Sequence, residues 1–451
     1  MKQPVPSALS VGIVGAGLSG LTLAHTLQRR GLPYQLFDAA KTAGGYIASE
    51  RVILPDGRSY LREFGPNSLL GDEALLAWLG DLGLTNQIQF AKPVGKARFI
   101  FRNGAYQELP ATPPALLFGR FFSRKTKLAI LRELFNKTKS PPGETLGQFF
   151  RRRFTDELVD YALAPFVAGI YAGDPDRLLV SETFPVLLDH EKQYGSVLRG
   201  LMKNQGKTAR RQSFSFQGGM QTLPQTLAAQ LNNLSLGNPV QRIERTRNGQ
   251  WCLSTLQGVR MFDKLVLAIP ADAAARLLAQ PYPDIAKAIR QIEYPPMTAV
   301  HSAYNRADVQ HPLNGFGGLN PQVEGRFCAG HIWSSSLFDN RCPTDEVMLT
   351  TFVGGQTNPD NARQPDAVLF DRVHQELAAS FGISAAEPTW RSIYRWERAI
   401  PQYDATLAAA KPSVTNLEKD GIFVCANWQG GVSLADCIKK GQDLADKFTP
   451  D

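Results

Sequence analysis

The sequence predicts an α/β protein, α+β overall, built on a discontinuous Rossmann-like dinucleotide-binding domain with an inserted substrate domain and a helical domain. Three observations predict it. A buried strand over residues 9–14 runs into Gly15-Ala16-Gly17-Leu18-Ser19-Gly20 and then into the helical pattern Leu21, Leu23, Ala24, Leu27. A second buried strand, residues 265–270, resumes the same fold far along the chain. A third strand, residues 422–427, turns through Gln429-Gly430-Gly431 into a helix beginning near Val432.

The first element is GxGxxG in the context it needs. Gly15 permits the tight turn, Gly17 lets the backbone approach a pyrophosphate, and Gly20 lets the helix pack close to the strand, whose following helix N-terminus faces the anion. A strand over residues 34–37 ends at Asp38, eighteen residues after Gly20, where an acid would hold the ribose hydroxyls of a dinucleotide. Gly44-Gly45 and the turn Gly65-Pro66-Asn67-Ser68 follow, and glycines of this kind mark close backbone approach.

Composition bounds the rest. The 451 residues make roughly three domain-sized pieces. With 43% hydrophobic and 20% charged residues, the chain resembles an ordinary folded enzyme and not a disordered one. Lys plus Arg is 49 against 41 for Asp plus Glu, a formal charge of +8 that suits an acidic small molecule or an anionic membrane surface. Five cysteines with no CxxC pair argue against a disulfide framework and for a reducing, cytoplasmic setting. The six histidines never fall at zinc-ligand spacing, so no metal is expected. The uncharged N-terminal stretch contains Pro4, Pro6 and the motif glycines, which fits strand, turn and helix instead of a membrane span.

Residues 85–110 carry short alternating runs such as Arg98-Phe99-Ile100-Phe101, read as strands, until Pro110, Pro113 and Pro114 break the pattern. A helical region follows. Between 120 and 139 it holds seven bases (Arg120, Arg124, Lys125, Lys127, Arg132, Lys137, Lys139) against Glu133 alone, with Leu116, Leu117, Phe118, Phe121 and Phe122 beside them. A basic amphipathic segment with exposed aromatics is what a peripheral membrane contact needs. Arg151-Arg152-Arg153 adds charge, but no nucleic-acid module surrounds it and no nucleic acid is expected as a partner. A polar stretch over 203–211 precedes a helix over 223–231 and strands near 240–243 and 251–256. Residues 291–410 show no second dinucleotide motif and read as the inserted substrate domain.

The chain resembles the flavin-dependent protoporphyrinogen oxidases and their relatives, the coproporphyrinogen oxidases of haem synthesis. The resemblance rests on Phe166-Val167-Ala168-Gly169-Ile170-Tyr171-Ala172-Gly173-Asp174, Gly218-Gly219-Met220-Gln221-Thr222-Leu223-Pro224, Gly315-Phe316-Gly317-Gly318-Leu319, Ser334-Ser335-Ser336-Leu337-Phe338, Ile400-Pro401-Gln402-Tyr403 and Gly431-Val432-Ser433-Leu434-Ala435-Asp436-Cys437-Ile438. The departures are Asp38 where Glu is usual, Thr42 for Arg, and Ala426 for Gly.

The resemblance implies an FAD enzyme without a covalent flavin bond. It implies an FAD-binding domain at 1–85, 212–290 and 415–451, a helical, membrane-associating domain at 92–205, and a substrate domain at 86–91 and 291–414. FAD is expected at Gly15, Ala16, Gly17, Leu18, Ser19, Gly20, Asp38, Ala39, Gly44, Gly45, Tyr46, Gly65, Pro66, Asn67, Ser68, Val240, Asn427, Val432, Ser433 and Leu434. The backbone of Gly169 would meet the pyrrole nitrogens, Leu319 and Phe352 would sandwich the macrocycle, and Arg98 would pair with a propionate. The implied reaction is protoporphyrinogen IX oxidation to protoporphyrin IX with dioxygen as acceptor. The alternatives are coproporphyrinogen III oxidation, another flavin amine oxidase or carotenoid-type desaturase activity, and a porphyrin carrier without turnover. Partners implied beyond substrate and dioxygen are an anionic membrane surface, ferrochelatase through the shared pathway, and a second copy of the chain.

Overall fold

The computed structural model describes residues 9–204 and 211–448. Pro4, Pro6 and most of the polar stretch 203–211 lie outside the described residues. A five-stranded parallel sheet forms the nucleotide-binding layer, in the order Leu234–Ser235, Tyr34–Phe37, Val11–Val14, Lys264–Leu267, Ile422–Val424. Its strands are short, apolar and covered on both sides, as a parallel sheet requires. On one side Ile13, Leu36, Val266 and Phe423 meet the helices Leu18–Arg29 and Leu434–Asp446. On the other, Val14, Phe37, Leu265 and Leu267 meet Trp251 and Leu253 of an antiparallel three-stranded layer.

The first helix begins at Leu18, so the last motif residues, Ser19 and Gly20, already form its first turn. That is three residues earlier than the apolar pattern from Leu21 suggests, because glycine and serine carry no periodic signal.

The second layer is a seven-stranded sheet, ordered Trp390–Trp396, Met297–Asn305, Glu346–Gly354, Gly330–Ile332, Gly317–Leu319, Phe99–Arg102, Ala105–Glu108. The helix Asp366–Phe381 covers one face through Leu369, Val373, Leu377 and Phe381, packed on Val300, Tyr304, Leu349 and Val353. The last two strands correct the sequence reading, which placed residues 92–205 together with the helices. The hairpin turns at Asn103-Gly104, both at positive φ as a two-residue loop demands. Phe99–Arg102 then joins Gly317–Leu319 in parallel, a pairing across more than two hundred residues that no local pattern encodes. The strand Ile88–Phe90, assigned to the substrate domain, likewise pairs with Gln212–Phe216 beside Leu69–Gly71.

Between these layers, residues 113–203 form short helices around a buried ion cluster. Arg153 donates to Glu133 at 2.6 Å and to Glu191 at 2.6 and 3.1 Å. Glu133 also accepts from the Ser196 hydroxyl (2.6 Å) and from the Val197 N–H (2.9 Å), at the start of the helix Val197–Lys203. Both members of the Arg153–Glu133 pair are fully buried, so removing one would strand the other's charge in the interior. The sequence reading took Glu133 as the lone acid of a basic segment and Arg153 as added charge nearby; the two are paired and buried. Phe121 and Phe122 are buried too, whereas Phe118 (85% exposed) and Phe135 (75% exposed) project into solvent. Among the described residues no helix is long and apolar enough to cross a membrane.

Candidate active site

The fold gathers the three glycine motifs onto the end of the strand Val11–Val14. Gly15 sits at φ +110, and a Cβ there would lie 2.4 Å from the Ala268 carbonyl oxygen. A Cβ on Gly20 would lie 2.0 Å from the Gly15 carbonyl, so helix and strand touch only because both residues lack one. Gly17 is different, because a Cβ there meets nothing within 4 Å. Its absence clears space above a helix end that has no side-chain cap, where the N–H groups of Leu18, Ser19 and Gly20 point outward. The second motif closes over this space. Gly44 donates to the Ala16 carbonyl (2.9 Å) and pairs with Gly17, and Gly45 stands 3.2 Å (ideal Cβ) from the Gly17 Cα.

Asp38 ends its strand with one carboxylate oxygen on the Ala16 N–H (2.5 Å) and the other on the Ala40 N–H (2.7 Å), beside exposed Ala39. Each oxygen keeps a lone pair for a ribose hydroxyl. Val240 starts its strand close by. Two residues earlier, Asn238 is buried, its N–H bonded to the Asp38 carbonyl, and its Oδ1 has no partner among the described residues. The sequence reading missed Asn238; its position between Gly237 and Pro239, just before a strand, is the signal that could have found it. The bare Gly17 surface, the uncapped helix end and the orphaned Asn238 oxygen fit the anionic and polar half of a dinucleotide.

The third turn lies on the second. A Cβ on Gly65 would fall 2.1 Å from the Tyr46 carbonyl, and Tyr46, whose hydroxyl burial pushes up to about 12, packs against Trp396. Pro66, Asn67 and Ser68 continue the same turn, with the Asn67 amide donating to the Gly65 carbonyl at 3.3 Å. Phe64, just before it, stacks on Tyr394 at 4.3 Å between ring centres.

The C-terminal motif also arrives here, since the helix Leu434–Asp446 crosses the first helix where Gly441 faces Ser19 and Leu23. The loop between Asn427 and Val432 is clamped. The Tyr403 hydroxyl donates to the Asn427 carbonyl (2.5 Å) and accepts from the Gly431 N–H (3.1 Å). The Lys440 ammonium, which burial makes easier to deprotonate, donates to the carbonyls of Ala426, Gln429 and Gly431 at 2.6–2.8 Å. The helix begins at Leu434, two residues after the expected start near Val432. Ser433 and Asp436 form a reciprocal capping box that consumes the Ser433 and Asp436 N–H groups, so Leu434 and Ala435 supply what remains of the helix end.

The predicted substrate residues share one face of the seven-stranded sheet. Tyr394, Ala299, Phe352, Gly330 and Leu319 stand directly opposite one another across five strands. Directly paired residues project to the same side, so Phe352 and Leu319 flank a gap left by Gly330. Gly169, on the helix Ala164–Tyr171, faces Leu319, 3.4 Å from an ideal Cβ to Cδ2. Near that helix's end, its carbonyl accepts no hydrogen bond among the described residues. Arg98 stands just before the strand Phe99–Arg102; its guanidinium lies 4.3 Å from the Phe316 ring centre and pairs with no acid among the described residues. A cavity beside this face is lined by Ala168, Gly173, Asn320, Cys328 and Ala329, neighbours of the predicted residues and not those residues themselves.

No ligand spacing is visible in the sequence, yet the fold brings one ligand atom each of Cys328, His331 and Glu376 within 4.8 Å of one another. The Glu376 carboxylate is already taken by the N–H groups of Phe327 and Cys328, the Asn320 amide and the Arg326 guanidinium. Burial pushes the Cys328 thiol well up and holds the His331 ring neutral, near pKa 3. Of the three, Cys328 lines the cavity, and the hydrogen bonds and ion pair of Glu376 make the trio a structural support beside it.

The model of the flavin containing amine oxidoreductase family matches residues 18–447. The chain belongs to that family. It is an FAD-dependent oxidoreductase, and the chemistry of the glycine cradle and Asp38 agrees. Among its relatives, a mitochondrial protoporphyrinogen oxidase of Nicotiana tabacum is 32% identical, covering 98% of this chain and 94% of the relative. Protoporphyrinogen oxidase 2 of Arabidopsis thaliana is 31% identical over the same shares. A crystal structure from Exiguobacterium sp. 255-15 superposes with a TM-score of 0.79 at 23% identity, covering 98% of each chain. Reduced UDP-galactopyranose mutase reaches 0.70 at 16% identity, covering 97% of this chain and 93% of the other. Such breadth of chemistry on one fold leaves the substrate to be argued from the site.

Proposed function

We propose that this enzyme oxidises protoporphyrinogen IX to protoporphyrin IX in haem biosynthesis. One observation carries the reading. The row Tyr394, Ala299, Phe352, Gly330, Leu319 runs from Phe64 beside the Gly65 turn to Gly169, so an apolar, gapped surface leads from the flavin cradle to an unbonded carbonyl.

A flat-faced macrocycle with inward N–H donors matches that surface. Leu319 and Phe352 offer apolar contact, the Gly169 carbonyl accepts from a pyrrole N–H, and Arg98 grips a propionate with parallel hydrogen bonds. FAD, which the glycine cradle and Asp38 would hold, would supply the hydride acceptor, with dioxygen the final oxidant and hydrogen peroxide its product. Hydride loss from a methylene bridge leaves a cation delocalised over two pyrroles, so the chain needs to orient the substrate more than to supply a strong base.

Coproporphyrinogen III is the second reading, favoured if more than two carboxylates can be held. Anaerobic mixing of the protein with each porphyrinogen separately tests both. Faster flavin bleaching by protoporphyrinogen is expected; bleaching by neither, with turnover of an amine, would overturn the proposal.

A further inference from the structure

The loop between the strand Ile422–Val424 and the helix Leu434–Asp446 is folded around one cation from that helix. The Lys440 ammonium donates to the carbonyls of Ala426 (2.7 Å), Gln429 (2.6 Å) and Gly431 (2.8 Å), which uses all three of its donors. Gly430 and Gly431 sit at positive φ, +67 and +105, and this turn lets three carbonyls converge on one point. No carboxylate pairs with Lys440 among the described residues, because Asp436, the acid one turn earlier, accepts from the Ser433 N–H and hydroxyl. The ammonium therefore brings an uncancelled charge into the protein, and burial makes that charge easier to lose.

A trans peptide points its C=O and its N–H in opposite directions. The three carbonyls turned in to Lys440 share their peptides with the N–H groups of Asn427, Gly430 and Val432, so those N–H groups turn away from the ammonium. None of the three donates to a group among the described residues, and Asn427 and Val432 are half-buried. The loop lies at the carboxyl end of Ile422–Val424, the edge of the parallel sheet that also carries the turn 15–20 and Asp38. The residue after Lys440, Gly441, touches that turn, since an ideal Cβ there would lie 2.8 Å from the Ser19 carbonyl oxygen. Asn427 and Val432 are the two residues between strand and helix cap that the family resemblance assigns to FAD.

We propose that Lys440 is a positioning residue for the flavin, turning the Asn427 and Val432 N–H groups toward it and supplying a fixed positive charge that favours its reduced, anionic form. The inference holds whichever substrate delivers the hydride, so it stands apart from the porphyrinogen reading. A cation held near the site stabilises a developing anion and raises the potential at which it forms.

Titration of the flavin reduction potential in the FAD-loaded protein tests it. Lys440→Gln keeps two N–H donors for the loop carbonyls but removes the charge, and should lower the potential by about 30 mV, a tenfold shift in a two-electron equilibrium. Lys440→Arg should hold the potential near the wild-type value. Lys440→Met loses donors and charge together, and should weaken FAD rebinding to the stripped protein about tenfold. Lys439, exposed and paired with Asp443 on the same helix, is the control: Lys439→Met should change neither quantity. A wild-type potential in Lys440→Gln, or a fall as large in Lys440→Arg or in Lys439→Met, overturns the role of the charge. Wild-type FAD affinity in Lys440→Met overturns the role of the loop carbonyls. A purely structural lysine would lower the melting temperature and leave the potential where it was.

Discussion

Gly169 and Leu319 face each other across the candidate substrate surface, with an ideal Cβ on the glycine 3.4 Å from the leucine Cδ2. That spacing is ordinary van der Waals contact, so the fold itself tolerates a methyl group there. Gly169→Ala is expected to fold and retain FAD, while Gly169→Leu fills the space above the free carbonyl and should abolish porphyrinogen oxidation. Steady-state rates beside the flavin absorbance of the purified variants check this; a Gly169→Leu enzyme with normal turnover removes Gly169 from the site.

Gly17 and Gly20 belong to one motif and should fail differently. A side chain at Gly17 meets no protein atom within 4 Å, whereas one at Gly20 meets the Gly15 carbonyl at 2.0 Å. Gly17→Val is therefore expected to give a folded, colourless protein whose melting temperature matches that of the FAD-stripped wild type. Gly20→Val should lower that temperature as well. Wild-type FAD should be released intact on denaturation, and flavin remaining on the precipitated chain would contradict the non-covalent reading.

What could be read in advance divides by range. Gly15, Gly17, Gly20 and Asp38 were legible because strand, turn and helix are consecutive and their chemistry is local. The alignment of Leu319, Gly330 and Phe352 was not, since it depends on register between strands set by non-local pairing. Leu319 and Phe352 came from family resemblance alone. Phe121 and Phe122 show the same limit: an aromatic beside basic residues looks exposed until a tertiary partner, here Ile100, covers it.

Glu157 ties the helical region to the strand pair at 99–108 and supplies a pH dependence. It accepts from the Ser123 and Thr126 hydroxyls, both at 2.5 Å, and from Arg102 at 2.6 Å. Burial alone would raise its pKa, but these donors outweigh that and hold it at about 2. A carboxylate with a folded pKa below its unfolded value of 4.5 stabilises the fold above that value and loses the contribution as pH falls toward 2. Glu157→Gln should melt below wild type at neutral pH, with the difference narrowing from about pH 4.5 downward. A gap independent of pH would show that the lost contacts, not the charge, mattered.

The solvent-facing side of the helix Arg124–Glu133 carries Leu128 and Leu131, with Phe135 one turn on, beside Arg124, Lys125 and Arg132. An apolar stripe bordered by bases is suited to the surface of an anionic bilayer. The enzyme is expected to pellet with anionic vesicles at low salt and to be released by high salt. Arg124→Glu with Lys125→Glu should abolish pelleting, and Phe118→Ser with Phe135→Ser should weaken it, while activity in detergent is kept. Pelleting unaffected by either pair would make this stripe an ordinary solvated face.

Arg98 offers the sharpest test of substrate choice. Its guanidinium lies over Phe316, and no acid among the described residues neutralises it. A propionate there would replace water with two charge-assisted hydrogen bonds against a partly apolar wall, a geometry lysine cannot reproduce. Arg98→Ala should cost on the order of 1.5 to 3 kcal/mol of substrate binding, because hydrogen bonds to a charged group carry about that much. The loss should appear mainly in KM, since the contact forms in the ground state and persists as the methylene bridge reacts. FAD content should stay constant, because Arg98 belongs to the sheet and not to the glycine cradle. Kinetics unchanged with both porphyrinogens would take Arg98 out of the site and leave the choice between the two substrates open.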